Sequence, residues 1–309
     1  MKHTENIAVI DIGSNTLRLL VGNLEGNKLN KIYTDRVVTR LGKNLTKSPI
    51  LSEESIKSSI DALIKFKKIA EKYNVFCIIA FGTSALREAK NSNEFCKLAE
   101  KATGIKINVF TEKQEAYYTF LGVTEEIKYE NIFILDVGGG SSEWIYSNTD
   151  SLLIDSISVG VLKIKELFLK KDLPLQEDLN NAKRYIRKEI ENRIPNVRIE
   201  KIIATGGTAS TAAMIFCKVN SYCPEKTHKT EISIDKLKSM LKYLSNIPIS
   251  ERKKVIGLSP DRADIICSGL LILETFLEYL GANALVISET GIIEGVIKNY
   301  KIFCYNKNL

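Results

Sequence analysis

Histidine, tryptophan and long apolar runs are scarce in this chain of 309 residues. It contains two histidines, His3 and His228, and one tryptophan. So few histidines exclude a histidine-rich metal cage and leave metal binding to carboxylates. No run approaches the roughly 20 apolar residues of a membrane span, and the first residues enter a strand pattern at once, which predicts no signal peptide. We therefore expect a cytoplasmic protein with no membrane partner.

The cysteines also lack any CxxC pair. Most of the six lie in apolar stretches such as VFCIIA and DIICSGL. This pattern indicates reduced, buried thiols. The residues are Cys77, Cys96, Cys217, Cys223, Cys267 and Cys304.

The chain carries a surplus of positive charge. Its net charge is +7, from 44 Lys and Arg against 37 Asp and Glu. Either the surplus reflects an AT-rich base composition, since Lys, Asn and Ile are abundant together, or it attracts a polyanionic ligand. Charge alone favours the compositional explanation until binding sites are found. An apolar content of 44% with 26% charged residues is typical of a soluble globular protein, and this length accommodates two domains.

An internal repeat runs through the sequence. IAVIDIGSNTLRLLV (7–21) matches IFILDVGGGSSEWIY (132–146), and their acidic residues align at an offset of 125. CIIAFGTSALRE (77–88) matches KIIATGGTASTA (201–212) at an offset of 124. Two matches at nearly one offset indicate a duplicated domain.

A third, looser match sets the domain boundaries. INVFTEKQEA (107–116) and LVISETGIIEG (285–295) align at an offset of 177, so the second half holds an insertion of about fifty residues. We predict an N-terminal domain over 1–125 and a C-terminal domain over 126–309. The apolar residues of the insertion recur at helical spacing, which predicts a helical segment over about 213–280.

The order of elements within each half indicates the fold class. Each half is expected to form a β-meander followed by helix, strand, helix, strand and helix. Sheets covered by helices in this way are typical of α/β architecture. Duplicated α/β domains place a ligand in the cleft between them, at the turns that follow the strands. We therefore predict an α/β fold of duplicated domains with an interdomain active-site cleft.

The stretch DVGGGSSEW (136–144) places three glycines between two acidic residues. A P-loop is excluded because no Lys follows the glycines, and a dinucleotide-binding turn because its third glycine is absent and SEWIYSNTDSLLI continues as a β-hairpin. A hairpin whose turn amides face a phosphate, with its acid at a cation or a water, fits the pattern. The alternative is a tight hairpin with structural glycines, but two matching hairpins favour phosphate binding.

Six motifs occur along the chain in a characteristic order: DIGSNTLRLLV, GTSALREAKNSNEF, TEKQEAYYTFLGV, DVGGGSSE, IIATGGTAS and SPDRADII. Together they resemble the exopolyphosphatase / guanosine pentaphosphate phosphohydrolase (Ppx/GppA) family of the actin-like ATPase superfamily, over residues 7 to about 297. The resemblance implies two ribonuclease-H-like (actin-like) domains and metal-dependent hydrolysis of a terminal phosphoryl group. It is to the short, two-domain form, without the helical His-Asp domain of longer members.

The sequence departs from the family pattern at SETGIIEG (288–295). Relatives usually read SDxGLREG there, so Glu289 replaces the acid and Ile293 replaces an Arg. The departures leave it open whether this turn contacts phosphate. The middle acid pair, often Glu-Glu in the family, is Gln114-Glu115 here.

The family match assigns the general base to Glu115. Thr111 and Gln114 form a capping-box pattern that starts a helix there and fixes the carboxylate near the expected cleft. The residues alone would favour a first-turn acid that interacts with the helix dipole. Arg87 follows the matching turn of the first half and is expected to neutralise phosphate charge. The alternative for Arg87 is a solvated helix arginine.

Asp136 and Glu143 are the expected ligands of Mg²⁺ or another divalent cation, directly or through water. They lie seven residues apart across the hairpin turn, so both side chains could face one ion. Asp11 occupies the equivalent place in the first hairpin. It is either a third group at the metal or an Asp that shapes its turn.

Three turns supply the expected phosphate contacts. Two are the hairpin turns, and the third begins a helix, where free amides and the helix dipole suit an anion. The residues are Ser14, Asn15, Thr16, Gly139, Gly140, Ser141, Ser142, Gly207 and Thr208.

Exopolyphosphatase is the function that we expect from these features. Water attacks the terminal phosphorus of inorganic polyphosphate in line, and the basic surplus favours this polyanion. We expect a preference for short-to-medium chains. The alternatives are hydrolysis of guanosine pentaphosphate, phosphoryl transfer to a nucleoside diphosphate, and a non-enzymatic sensor of polyphosphate or alarmone. Retention of Glu115, Asp136 and Glu143 argues against an inactive sensor. A homodimer is compatible with the sequence, and nucleic acid is not an expected partner.

Overall fold

The structure, a computed structural model, describes residues 5–127 and 129–305. It divides into two compact units. The first contains the chain up to Gly122 and the segment that begins at Ile292, and the second contains Val123–Gly291. The first boundary lies close to the predicted one, whereas the C-terminal segment differs from the predicted domain over 126–309.

The first unit contains a mixed sheet of five strands in its described part. The strands are β1 (Ile7–Ile12), β2 (Thr16–Glu25), β3 (Lys28–Val38), β4 (Cys77–Gly82) and β5 (Ile107–Val109). Their order is β3-β2-β1-β4-β5, with β1 antiparallel to β2 and parallel to β4. All residues of β1 are buried. This explains its nearly continuous apolar pattern, because a central strand is covered on both faces.

Four helices follow these strands along the chain: α1 (Glu53–Lys72), α2 (Ser84–Glu88), α3 (Ser92–Thr103) and α4 (Glu112–Val123). The hydroxyl of Ser52 accepts a hydrogen bond from the Ser55 amide at 3.2 Å and begins α1. Gly104 ends α3 in the left-handed conformation, at φ 71°. Such caps satisfy the backbone groups that a helix leaves without partners.

The second unit contains a mixed sheet of six strands in its described part. The strands are β6 (Ile132–Val137), β7 (Ser142–Ser147), β8 (Leu152–Ile157), β9 (Lys201–Thr205), β10 (Glu231–Ser233) and β11 (Ala284–Ile287). Their order is β10-β11-β9-β6-β7-β8. Strands β7 and β8 pair across residues 148–151, so the predicted hairpin turn at SNTD is confirmed.

Helices of the second unit cover this sheet, and their apolar side chains form its core. They are α5 (Val161–Leu167), α6 (Gln176–Arg193), α7 (Gly206–Cys217), α8 (Pro224–Thr227), α9 (Ile234–Ser245), α10 (Ile249–Arg252) and α11 (Ile266–Tyr279). A 3₁₀ turn spans Pro260–Arg262. In the two stretches that the structure describes, no helix combines the length and the apolarity needed to cross a membrane.

The two sheets have the same strand order, which confirms the predicted α/β duplication. Strands β3-β2-β1-β4-β5 correspond in order and pairing to β8-β7-β6-β9-β11. The extra segment of the second half contains helices α8 to α11, and also β10, which extends the sheet beyond β11. The insertion is therefore mostly helical, with one strand that its pattern did not predict.

The C-terminal segment packs on the first sheet, through α12 (Ile292–Lys298) and α13 (Tyr300–Tyr305). Ile292 and Val296 share a buried apolar cluster with Ile7 and Val9 of β1. Gly295 allows α12 to approach α4, since a Cβ there would lie 1.8 Å from the Tyr118 carbonyl oxygen. The assignment of this segment to the second domain is wrong, because its apolar face is buried on the first sheet.

Two cysteines differ from the predicted reduced state. Cys77 and Cys304 form a disulfide across 227 residues, with Cα atoms 6.3 Å apart, and it links β4 to α13. The packing of α13 brings them together, and short Cys spacing gives no sign of it. Among the described cysteines, the other four are free, and Cys267 alone of these is buried.

Candidate active site

Each hairpin of the duplication pairs two charged side chains across its own two strands. Asp11 of β1 pairs with Arg18 of β2, and Asp136 of β6 pairs with Glu143 of β7. Residues directly opposite in antiparallel strands project from the same face. The structure therefore places Asp136 and Glu143 on one face, as the prediction of a shared ion requires. Both turns are closed by equivalent bonds, from the Gly13 amide to the Thr16 carbonyl at 3.2 Å and from Gly138 to Ser141 at 3.0 Å.

Glu143 is buried and held by hydroxyl groups. Its side chain is almost fully covered, and Oε1 accepts hydrogen bonds from Ser141 Oγ at 2.7 Å and from Ser156 Oγ at 3.1 Å. Ser142 Oγ donates to the Val159 carbonyl at 2.5 Å. The two serine hydroxyls of this turn that are predicted to contact phosphate, those of Ser141 and Ser142, therefore have partners inside the protein. Ser141 orients the Glu143 carboxylate, and the hydrogen bond of Ser142 ties the start of β7 to the segment after β8.

Asp136 lies against a glycine at the start of α7. Gly206 has φ 81°, and a Cβ there would lie 2.2 Å from Asp136 Oδ1. A side chain at this position would occupy the space beside the carboxylate. Glycine is therefore required both by the backbone conformation and by the close approach of Asp136. The sequence indicated the turn but gave no sign of this contact.

The carbonyl groups of the turn between β6 and β7 accept hydrogen bonds from the start of α5. The Gly138 and Gly139 carbonyls accept from the amides of Val161 and Leu162, at 3.0 and 2.9 Å. Within residues 5–127 and 129–305, the amides of Gly139 and Gly140 donate to no backbone carbonyl. A turn with tethered carbonyls and available amides is suited to an anion.

In the first hairpin, Arg18 binds Asp11. Arg18 Nε and Nη2 both donate to Asp11 Oδ2, at 2.9 and 2.6 Å. Burial raises the pKa of Asp11 above its usual value, although the charge and hydrogen bonds of Arg18 act in the opposite direction. Asp11 Oδ1 is buried and has no hydrogen-bond partner among the described residues. The residue predicted as a third group at the metal thus has one oxygen in an ion pair.

The first turn is buried and tethered as the second is. Ser14, Asn15 and Thr16 are all buried. The Ser14 carbonyl accepts from the Gly42 amide at 2.7 Å, and the Asn15 carbonyl accepts from Arg40 at 3.0 Å. The segment after β3 therefore holds the carbonyl side of this turn. The phosphate contacts of these three residues remain a prediction.

Glu115 and Arg87 form an ion pair in the first unit. Arg87 Nη1 lies 2.6 Å from Glu115 Oε2 and 3.0 Å from the Phe110 carbonyl oxygen. The predicted capping box is confirmed, because the Thr111 amide donates to Gln114 Oε1 at 2.9 Å and the Gln114 amide to Thr111 Oγ1 at 3.2 Å. Only 17% of the Arg87 side chain is exposed, which excludes the solvated arginine. The structure brings the predicted base and the predicted phosphate-binding cation together.

Gly207 and Thr208 lie in the first turn of α7. A Cβ at Gly207 would lie 2.2 Å from Arg262 Nη2, so the guanidinium packs directly on this glycine. Thr208 Oγ1 donates to the Val137 carbonyl at 3.2 Å and ties α7 to β6. The hydroxyl of Thr208 therefore has a structural partner, and Arg262 supplies the positive charge next to this turn.

The two residues that depart from the family motif, Glu289 and Ile293, make contacts within the protein. Both carboxylate oxygens of Glu289 accept hydrogen bonds at 2.6 Å, from Ser210 and Thr227. Ile293 is buried in the apolar cluster of the first sheet. Contacts within the protein therefore account for both residues.

The carboxylates of the second hairpin satisfy the chemistry of a magnesium site. Mg²⁺ is usually held by one or two carboxylates together with waters and substrate phosphates. Asp136 and Glu143 share a face, and the absence of a side chain at Gly206 lets the Asp136 carboxylate pack against the start of α7. Within the described ranges, no group of three or more His, Cys, Asp or Glu side chains could hold a metal. Two carboxylates on one face are the donor set that a Mg²⁺ ion shared with substrate phosphates would need from the protein.

Two mixed sheets with one repeated strand order, each carrying a charged hairpin, define an α/β protein of the actin-like ATPase class. The family model of the Ppx/GppA phosphatase family matches residues 20–301. The chain belongs to this family.

Known proteins similar to this chain carry phosphatase names. It is 31% identical over 306 residues to the bifunctional 3-dehydroquinate synthase/phosphatase of Fusobacterium nucleatum, covering 94% of this chain and 46% of that protein, so it spans about half the length of that relative. It is 23% identical over 308 residues to exopolyphosphatase 2 of Mycobacterium tuberculosis, covering 94% and 97%. The crystal structure of an exopolyphosphatase from Cytophaga hutchinsonii matches with a TM-score of 0.87 and 27% identity, over 96% and 97% of the two chains.

Proposed function

We propose that this protein is an exopolyphosphatase that hydrolyses the terminal phosphoanhydride bond of inorganic polyphosphate with a divalent cation, Mg²⁺ or a similar ion. The observation that carries the proposal is the pair of carboxylates, Asp136 and Glu143, opposite each other on one face of the second hairpin. Family membership and the names of the relatives support the reaction class. The net charge of +7 supports a polyanion as substrate.

Glu115 acts as the general base in this proposal. Its carboxylate takes a proton from the water that attacks the terminal phosphorus, while the P–O bond to the rest of the chain breaks and a shortened polyphosphate leaves. Arg87 holds the carboxylate in one orientation through the contact at 2.6 Å. The guanidinium also adds positive charge where negative charge accumulates.

The second hairpin binds the phosphates and the cation. Asp136 and Glu143 would hold the ion, and the amides of Gly139 and Gly140 would donate to phosphoryl oxygens. Ser141 and Ser156 keep Glu143 oriented through their hydrogen bonds. When bound, the cation supplies charge that neutralises the phosphates around the reacting bond.

The test is phosphate release with Mg²⁺ from long polyphosphate and from guanosine pentaphosphate, side by side at low and high ionic strength. We expect polyphosphate to give the higher kcat/KM, and its binding to weaken more steeply with salt, because a long polyanion contacts more cations. If guanosine pentaphosphate has the higher kcat/KM at both salt concentrations, the protein is an alarmone phosphohydrolase. No phosphate release from either substrate would contradict the proposed function.

A further inference from the structure

The two hairpins differ in charge at one equivalent position. Asp11 and Asp136 are separated by 125 residues, and so are their cross-strand partners, Arg18 and Glu143. The strand order, the pairing and the closing hydrogen bond of the turn are the same in both hairpins. The same two backbone positions therefore carry an aspartate and an arginine in the first hairpin, and an aspartate and a glutamate in the second.

The first hairpin contains its own cation. Arg18 makes two hydrogen bonds to one oxygen of Asp11, and a guanidinium keeps its charge at every physiological pH. The partners of Glu143 that orient it, Ser141 and Ser156, are neutral hydroxyls. Like charges directly opposite each other destabilise a sheet. A divalent ion at the second hairpin would neutralise its two acids, as Arg18 neutralises Asp11.

We propose that Arg18 is the built-in counter-cation of the first hairpin, that it prevents a divalent ion from binding to Asp11, and that the chain binds such an ion at the second hairpin alone. The proposal rests on the metal role of Asp136 and Glu143 in the proposed function. It removes Asp11 from the metal site. Arg18 is in this sense a positioning residue, which acts through Asp11.

Arg18→Glu tests the proposal directly, because it converts the first hairpin into a copy of the second. Binding of Mn²⁺ to the folded protein is measured by isothermal titration calorimetry and by electron paramagnetic resonance. We expect one equivalent for the wild type and two for Arg18→Glu. A folded Arg18→Glu protein that binds no more Mn²⁺ than the wild type overturns the proposal.

Glu143→Gln provides a second test of the proposal, which does not depend on whether Arg18→Glu folds. This nearly isosteric variant disables the second hairpin and leaves Asp11 and Arg18 intact. We expect it to lose the equivalent that the wild type binds. A full equivalent of Mn²⁺ that the folded variant still binds at the wild-type affinity, and that is lost when Asp11→Asn is added, shows that Arg18 does not exclude the ion, and overturns the proposal.

The double variant Arg18→Glu, Glu143→Gln should bind one equivalent, now at the first hairpin. Phosphate release by the wild type with Mg²⁺ is measured in parallel. Release together with two bound equivalents in the wild type leaves the proposed function standing and overturns this inference. Absence of release, with one more equivalent in Arg18→Glu than in the wild type, contradicts the proposed function and supports the role of Arg18.

Discussion

The two hairpins keep the same backbone and differ in the charge that they present. Asp11 faces an arginine that neutralises it, and Asp136 faces a buried glutamate. Backbone pairing depends on hydrogen bonds that most side chains permit, whereas the charge on one face depends on a single residue. A duplicated fold can therefore keep its geometry and assign different chemistry to its two copies.

The carboxylates assigned to the site differ further in the side chains that hold them. In the first unit, the ion pairs Asp11–Arg18 and Glu115–Arg87 both lie at 2.6 Å. In the second unit, Glu143 is oriented by two serine hydroxyls. The first hairpin thus has a counter-cation from the chain, and the proposal gives the second hairpin an ion from solution.

The largest expected effect concerns Glu115, the proposed base of the first unit. Glu115→Gln should lower kcat about 10²–10⁴-fold, the usual contribution of a positioned base, with little change in substrate binding. Glu112→Gln is the matched control, because Glu112 lies in the same first turn of α4 and is exposed. Steady-state phosphate release and polyphosphate binding measure both. An activity of Glu115→Gln within threefold of wild type would remove the base assignment.

The next effect distinguishes the two hairpins through their metal dependence. Asp136→Asn and Glu143→Gln should each raise the Mg²⁺ concentration for half-maximal activity by at least about tenfold, since even indirect contacts to a metal contribute this much. Arg18→Gln, at the equivalent place in the first hairpin, should leave that concentration near the wild-type value. Mg²⁺ titrations of phosphate release provide the measurement. Equal shifts in Arg18→Gln and Glu143→Gln would erase the distinction between the hairpins.

A smaller effect is expected at two equivalent glycines, Gly82 at the end of β4 and Gly206 directly after β9. Gly206→Ala should lower the free energy of unfolding by about 1–3 kcal/mol, because alanine is strained at positive φ. It should also raise the Mg²⁺ requirement, since the methyl group would meet the Asp136 carboxylate. Gly82 has no positive φ, and its added Cβ would meet the side chain of Leu86.

Gly82→Ala is therefore the matched control in the first unit. We expect it to leave the Mg²⁺ requirement unchanged, whatever it does to stability. Chemical denaturation and Mg²⁺ titrations give the two quantities separately. If both alanine variants shift the Mg²⁺ requirement alike, the contact between Gly206 and Asp136 has no part in metal binding.

Local patterns predicted much of this molecule. The repeat offsets predicted two sheets of one order, and a capping-box pattern predicted the start of α4 with Glu115 in its first turn. Both depend on contacts between residues near in sequence, which the pattern itself contains. The side-chain face shared by Asp136 and Glu143 follows in the same way from hairpin pairing.

Contacts between distant residues could not be predicted in this way. The apolar residues of α12 predict a buried helix but do not identify the sheet on which it packs. The disulfide depends on the same packing, because it joins Cys77 to a helix 227 residues away. The ion pair of Arg87 and Glu115 also requires the fold, since it joins α2 to α4. The cross-strand pairing of Asp11 with Arg18 could be predicted from the repeat, because Arg18 aligns with Glu143.

The smallest expected effect tests how far the charge of Arg18 offsets the effect of burial on the pKa of Asp11. Burial raises the pKa of Asp11, and Arg18 opposes this shift without cancelling it. The folded protein then binds the Asp11 proton more tightly than the unfolded chain. The associated stability is fully present below the ordinary pKa of 3.8 and is lost as the pH rises through the pKa of the folded state. Asp11→Asn has no such proton, so the stability of wild type relative to this variant should fall as the pH rises from 3.8.

Urea denaturation of both proteins across this pH range measures the difference, and effects of all other carboxylates cancel to first order. Arg18→Gln provides the complementary variant. Without the guanidinium, burial acts alone, so the loss of stability with rising pH should be larger than in the wild type. If the wild type instead gains stability relative to Asp11→Asn as the pH rises, the ion pair outweighs burial. The first hairpin would then be fully compensated, and the contrast with the second hairpin would be greater than the pKa of Asp11 indicates.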